Sequence, residues 1–135
     1  MALTRAYVRS FAQVESDPAR ILSSANHMLI ADLEDSRFVT LLLVCLDAVN
    51  GSLAYAGAGQ VPGLLMNSFG YIECVLESSG PPLGLFSDSR FATSDIPLAS
   101  QQLVILMTDG VCETRNADDV EFGTEGVLDY VRSHR

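Results

Sequence analysis

The chain has 135 residues of which 48% are hydrophobic, enough for one domain with a buried core and too few for two. Its formal charge of -9 repels phosphate backbones and anionic lipid, so neither nucleic acid nor a membrane surface is an expected partner. Cys45, Cys74 and Cys112 lie far apart and form no Cys-x-x-Cys pair, so they read as reduced thiols of a cytoplasmic protein rather than a zinc or redox site.

The longest apolar run, residues 38–46, is under half of the roughly 20 residues a membrane helix needs. Met1-Ala-Leu-Thr-Arg5 lacks the basic-then-apolar build of a signal peptide. Over residues 3–14, Leu3, Tyr7, Val8 and Phe11 recur at helical spacing, which predicts an amphipathic helix. Ser16-Asp17-Pro18 then offers a capping side chain and a first-turn proline. The stripe Ile21, Leu22, Ala25, Met28 and Leu29 carries a second helix to about residue 30.

Residues 38–46 are apolar on both parities and predict a central strand covered on two faces. Asn50-Gly51 reverses the chain. Residues 52–58 return with Leu53 and Tyr55 on one face and an alanine face, Ala54, Ala56 and Ala58, suited to close packing by a helix or second sheet. Further strands are expected at 64–66 and 71–76, joined through Asn67-Ser-Phe-Gly70, with a short one at 91–96. Ser79-Gly-Pro-Pro82 must be a loop, because proline lacks the ladder donor. A buried strand is expected at 102–107, and a helix with Val127, Leu128 and Val131 closes the chain at Arg135. Helices segregated from hairpin-linked strands predict an α+β layered domain rather than alternating βαβ units. The first helix without an upstream strand and the abrupt last helix read as ends cut inside a fold.

The sharpest chemical feature is Asp109, delivered after the strand 102–107 with Gly110 allowing a turn behind it. Hard cations such as Mg²⁺ and Mn²⁺ take such oxygen ligands, although Asp-Gly at a strand end by itself is also a common turn. His27 and His134 have no Asp or Ser partner at a recognisable spacing, so a nucleophilic triad has little support. Gly57-Ala-Gly59-Gln60 lacks the Lys-Ser/Thr of a phosphate loop; Gly59 reads as a bend before Pro62-Gly63. Asp118, Asp119 and Glu121 read as a solvated acidic loop.

Five segments in order resemble the metal-dependent type 2C (PPM) protein serine/threonine phosphatases of the bacterial SpoIIE/RsbU branch. They are Asp17-Pro-Ala-Arg-Ile-Leu22 with Asn26; Arg37-Phe-Val-Thr40 through Asp47; Tyr55-Ala-Gly-Ala-Gly59 with Pro62; Gly80-Pro-Pro-Leu-Gly84; and Thr108-Asp-Gly-Val111 with Glu113, Arg115-Asn116 and Phe122-Gly123. The resemblance implies an antiparallel β-sandwich flanked by helices, incomplete here, and spans residues 1–135 as one phosphatase domain. It further implies two Mn²⁺ or Mg²⁺ ions that activate water for attack on phosphoserine or phosphothreonine. Asp109 matches the strand-end metal aspartate and is the one catalytic metal ligand that carries over. The family's Asp-x-x-Gly-His-Gly and Asp-Asp-x-Thr strings do not occur, and the family's Asn and His around the Ala-Gly segment are replaced by Gly57 and Gln60.

The resemblance implies dephosphorylation of a regulatory protein, such as an anti-sigma-factor antagonist, in a chain whose sensor or receiver domain lies upstream. With most ligands absent, the fragment itself is expected to bind metal weakly and be inactive. Unpaired sheet edges at deleted strands favour a homodimer. A non-catalytic phosphatase-like interaction module is the alternative, and a small-molecule-binding α+β domain would require a closed apolar pocket.

Overall fold

The computed structural model describes residues 2–32 and 37–134. Two helices come first, α1 (Ala2–Phe11) and α2 (Pro18–Asp32), followed by β1 (Leu41–Asp47), β2 (Ser52–Ala58), β3 (Gly63–Met66), β4 (Ile72–Leu76), β5 (Ser94–Pro97) and β6 (Leu103–Ile105). A short helix α3 (Asp109–Cys112) and a final helix α4 (Gly123–Ser133) complete the order. Arg135, where the sequence pattern ends the last helix, lies outside the described residues.

The strands form two antiparallel sheets, one in the order β1-β2-β5 and the other β4-β3-β6. Side-chain alternation assigns their faces. Leu53 and Tyr55 of β2, with Leu42 and Val44 of β1 and Ile96 of β5, pack against Leu76 of β4 and Val104 of β6, filling the space between the sheets. On the opposite face of the first sheet, Ala56 and Ala58 admit Ala19, Leu22 and Leu29 of α2, with Leu41 and Leu43 beside them. The alanine face thus takes the helix, because side chains that short let its backbone approach. Leu64, Met66 and Ile105 on the outer face of the second sheet bury Leu128 of α4, flanked by Val127 and Val131. The layers run helix, sheet, sheet, helix, the α+β layering expected from the sequence pattern and the sandwich that the resemblance implies. Leu22 and Leu29 are fully buried, each worth about 1.5–3 kcal/mol relative to exposure.

The start of α2 is built as its sequence signals. Asp17 accepts the Ala19 N–H at 3.0 Å and the Thr93 hydroxyl, which joins the helix to the approach of β5. The first hairpin pairs Leu41 with Ala58 through Asp47 with Ser52, and Gly51 takes the left-handed conformation (φ 62°) in its turn.

Two expectations about strands need correction. The run at 38–46 begins its regular pairing at Leu41, and among the described residues β1 stands at an edge of its sheet rather than in the centre. Apolar residues on both parities report cover on two faces; they carry no information about neighbours along the hydrogen-bonding direction. The strand expected at 102–107 is shorter, pairs with β3 alone among the described residues, and leaves Leu103 and Leu106 exposed.

Candidate active site

Asp109 stands where the second sheet ends. After β6, Met107 is half-buried and Thr108 is extended (φ -109°, ψ 158°), and the chain turns into α3 with Asp109 as its first residue. The carboxylate therefore comes from the first turn of a short helix, not from the last residue of a strand. Asp109 is exposed; its Oδ1 accepts the Gly110 N–H at 3.1 Å, and its carbonyl accepts the Glu113 N–H at 2.8 Å.

The segment is held from the other sheet. Gln60, in the loop after β2, donates its side-chain N–H to the Met107 carbonyl at 3.1 Å, while Ser78 donates to the Gln60 carbonyl at 3.0 Å. An open cleft of about 460 Å³ lies between Thr40, Leu41 and Leu42 on one side and Leu106, Met107, Thr108 and Val111 on the other. Asp109 sits in sequence between two residues of its wall. Hard cations need several oxygen donors in one place. Among the described residues no group of three or more His, Cys, Asp or Glu side chains is placed to hold an ion. Asp109 alone does not fit a two-ion centre.

The glycine loop serves packing. A Cβ on Gly57 would lie 2.6 Å from Ser78 Cα, and one on Gly59, whose φ is 65°, would lie 2.5 Å from Pro82 Cγ. Both glycines let the end of β2 press on the loop that holds Gly80-Pro-Pro, where the Gly59 N–H reaches the Gly80 carbonyl at 3.0 Å. Asn26, 2% exposed, pins the same loop: its amide donates to the Phe86 carbonyl at 3.0 Å and its Oδ1 accepts the Gly84 N–H at 2.8 Å.

The remaining candidates disperse. His27 is exposed on α2. His134 stacks on Tyr130 at 4.1 Å, and its Nδ1 lies 3.0 Å from Ser133 Oγ and 2.8 Å from the Tyr130 carbonyl. Ser133 donates to backbone carbonyls of its own helix at 2.9 Å, so this Ser–His contact finishes a helix end. Asp118 and Asp119 lie in an exposed turn between Thr114 and Phe122, whose N–H meets the Thr114 carbonyl at 2.7 Å. Arg115 pairs there with Asp119 at 3.2 Å and with Glu121, which offsets part of the acidic turn's charge.

The family model of stage II sporulation protein E (SpoIIE) matches residues 1–135. The chain belongs to the SpoIIE family. Protein IcfG of Synechocystis is 33% identical over 92 residues, covering 68% of this chain and 14% of that protein. The phosphoserine phosphatase RsbU of Bacillus subtilis is 24% identical over 115 residues, covering 85% of this chain and 34% of RsbU. The chain therefore spans about a third or less of these relatives. In three dimensions it resembles the RsbU and RsbW domains of Rv1364c from Mycobacterium tuberculosis, with TM-score 0.79 and 21% identity over 98% of this chain and 36% of that one. It likewise resembles the SiaA-PP2C domain of Pseudomonas aeruginosa, with TM-score 0.77 and 23% identity over 98% of this chain and 52% of that one. These likenesses establish the type 2C phosphatase sandwich as the fold of this SpoIIE-family chain.

Asn26 and the glycines of 57–59 belong to the segments that resemble the family, and here they fix loop positions. The Gln60 to Met107 bond had no sequence signal, because its partners are 47 residues apart and one of them is a backbone carbonyl.

Proposed function

We propose that this chain forms part of one catalytic domain of a metal-dependent protein serine/threonine phosphatase. Its substrate class is phosphoserine or phosphothreonine on a regulatory protein, such as an anti-sigma-factor antagonist, in a cytoplasmic signalling pathway with the sensor or receiver domain upstream. The observation that carries this reading is the SpoIIE family match over residues 1–135; the similarity to RsbU, a phosphoserine phosphatase, supports the substrate class.

Within this proposal Asp109 is a ligand for Mn²⁺ or Mg²⁺, and the other oxygen donors come from outside the described residues. Its support is an exposed carboxylate that follows Thr108, a residue of the open cleft's wall. A lone carboxylate cannot hold two hard cations near each other, so the 135-residue chain should bind divalent metal weakly and hydrolyse little. The absence of a three-residue metal cluster among the described residues favours a second reading, a non-catalytic phosphatase-like module that binds a signalling partner.

One assay separates them: Mn²⁺-dependent hydrolysis of a phosphoserine protein by this chain, by a longer product of the same gene with flanking sequence at both ends, and by that product carrying Asp109→Asn. Activity confined to the longer product and lost in Asp109→Asn, with its fold kept, is the expected result. Robust hydrolysis by the 135-residue chain, or an unaffected Asp109→Asn, overturns the role given to Asp109. Inactivity of every form favours the binding module.

A further inference from the structure

Asn50-Gly51, which reverses the chain between β1 and β2, also brings together the reactants of a spontaneous covalent change. The backbone nitrogen that follows an asparagine can attack its side-chain carbonyl carbon, and glycine leaves that approach open because it has no Cβ. Asn50 is exposed in the turn at 48–51, with Gly51 directly behind it. The other three asparagines differ in two respects. Each precedes a residue with a side chain, His27, Ser68 or Ala117. Each also has its Oδ1 held by backbone N–H groups: Asn26 by Gly84 at 2.8 Å, Asn67 by Phe69 and Tyr71 at 2.9 and 3.1 Å, and Asn116 by Asp118 and Val120 at 2.9 and 3.0 Å. Asn50 is instead held through its nitrogens. Its Nδ2 donates to Asp47 Oδ2 at 2.7 Å, and its backbone N–H donates to Asp47 Oδ1 at 2.9 Å.

We propose that Asn50 is a site of spontaneous deamidation and that the Asp47 carboxylate is its brake. In the reaction the Gly51 nitrogen bonds to Asn50 Cγ, the Cγ–Nδ2 bond breaks, and Nδ2 leaves as ammonia with the proton that Gly51 gives up. Water then opens the cyclic imide at Cγ to leave aspartate, or at the main-chain carbonyl to leave isoaspartate, whose chain runs through Cγ. No oxidant or reductant takes part. Turning Cγ toward the Gly51 nitrogen moves Nδ2, so the bond to Asp47 must loosen first. A hydrogen bond to a charged group is strong enough, even at an exposed site, to slow this step about tenfold.

The consequences reach beyond the turn. Aspartate at position 50 removes the amide donor and sets a second carboxylate against Asp47. Isoaspartate adds a main-chain carbon to a turn whose ends are fixed by the Asp47–Ser52 pair, and Gly51 behind it accepts the Leu98 N–H at 2.7 Å. Both products therefore loosen the corner where β1, β2 and the end of β5 meet. The proposal does not depend on phosphatase activity.

The test is incubation of the folded 135-residue chain at neutral pH, beside Asp47→Ala and Asp47→Asn. Tandem mass spectrometry of the digest locates each amide-to-acid conversion, and labelling by an isoaspartate carboxyl methyltransferase reads the second product. Conversion confined to Asn50, and about tenfold faster in Asp47→Ala, is the expected result. Asp47→Asn keeps a neutral acceptor and should lie between, about threefold above wild type. Hydrogen exchange over residues 52–58 reports whether the hairpin ladder survives each substitution; if Asp47→Ala loses it, the Asp47→Asn rate decides. Asn50 intact in every form, or Asn67 or Asn116 converting as fast as Asn50, overturns the assignment of the site. Conversion no faster in either variant than in wild type overturns the role of Asp47.

Discussion

Replacing Asn26 by Ala should be among the most damaging single substitutions on the helical side of the fold. Asn26 is 2% exposed, and its amide makes one bond as donor and one as acceptor, to the Phe86 carbonyl and the Gly84 N–H, 60 and 58 residues away. Each such bond contributes about 1 kcal/mol net, and a buried group left without a partner costs about 1–3 kcal/mol. The Phe86 carbonyl keeps the Ser89 hydroxyl as a donor at 2.8 Å; Gly84 is half-buried, so its N–H recovers less. The loss should total roughly 2–3 kcal/mol, which for a chain of this size lowers Tm by about 8–12 °C. Thermal unfolding followed by circular dichroism, beside the exposed neighbour variant His27→Ala, measures it; His27→Ala should stay within about 0.5 kcal/mol of wild type. An Asn26→Ala variant within about 2 °C of wild type would refute the pinning role, because water would then be replacing both bonds at no cost.

Gly59→Ala places a Cβ 2.5 Å from Pro82 Cγ at φ 65°, and strain plus overpacking should cost about 2–5 kcal/mol in a denaturant titration. Gly110→Ala is the opposite case: its Cβ meets nothing closer than 3.8 Å within a helix, and it should stabilise by about 0.5–1 kcal/mol. The Asp47 carboxyl is held below the usual range by the Asn50 N–H, the Asn50 side-chain amide and the Val49 N–H. A depressed folded-state value means this contribution is present above the unfolded carboxylate range and lost as pH falls through the folded value. The stability gap between wild type and Asp47→Asn should therefore shrink on acidification below about pH 4, as unfolding titrations at several pH values would read. Burial, with the nearby Asp17 charge, pushes the Cys45 thiol up, so Cys45→Ser should remove a slow alkylation phase and leave the fast one intact.

Local pattern was enough to place every major element and the first hairpin. Helical spacing in α1, α2 and α4 and the Asn50-Gly51 reversal are properties of short windows, and the alanine parity of β2 marks the face that α2 approaches. Asp109 was legible as a candidate because a strand followed by Asp-Gly is also local, and the five-segment resemblance named the family that the wider comparison established. Its precise setting was not legible: the Gln60 to Met107 bond ties down the strand end just before the turn into α3, and the described residues hold no group of three or more His, Cys, Asp or Glu placed for a metal ion. The tertiary structure alone decided that β1 and β6 are edges among the described residues, that Asn26 and the glycines of 57–59 fasten loops, and that Arg5 and Arg9 line a groove beside β1. The reason is physical. Periodicity records which faces of an element are covered, whereas lateral strand neighbours and single hydrogen bonds between residues some fifty positions apart exist only once the chain has closed on itself, and they leave no periodic trace in the sequence.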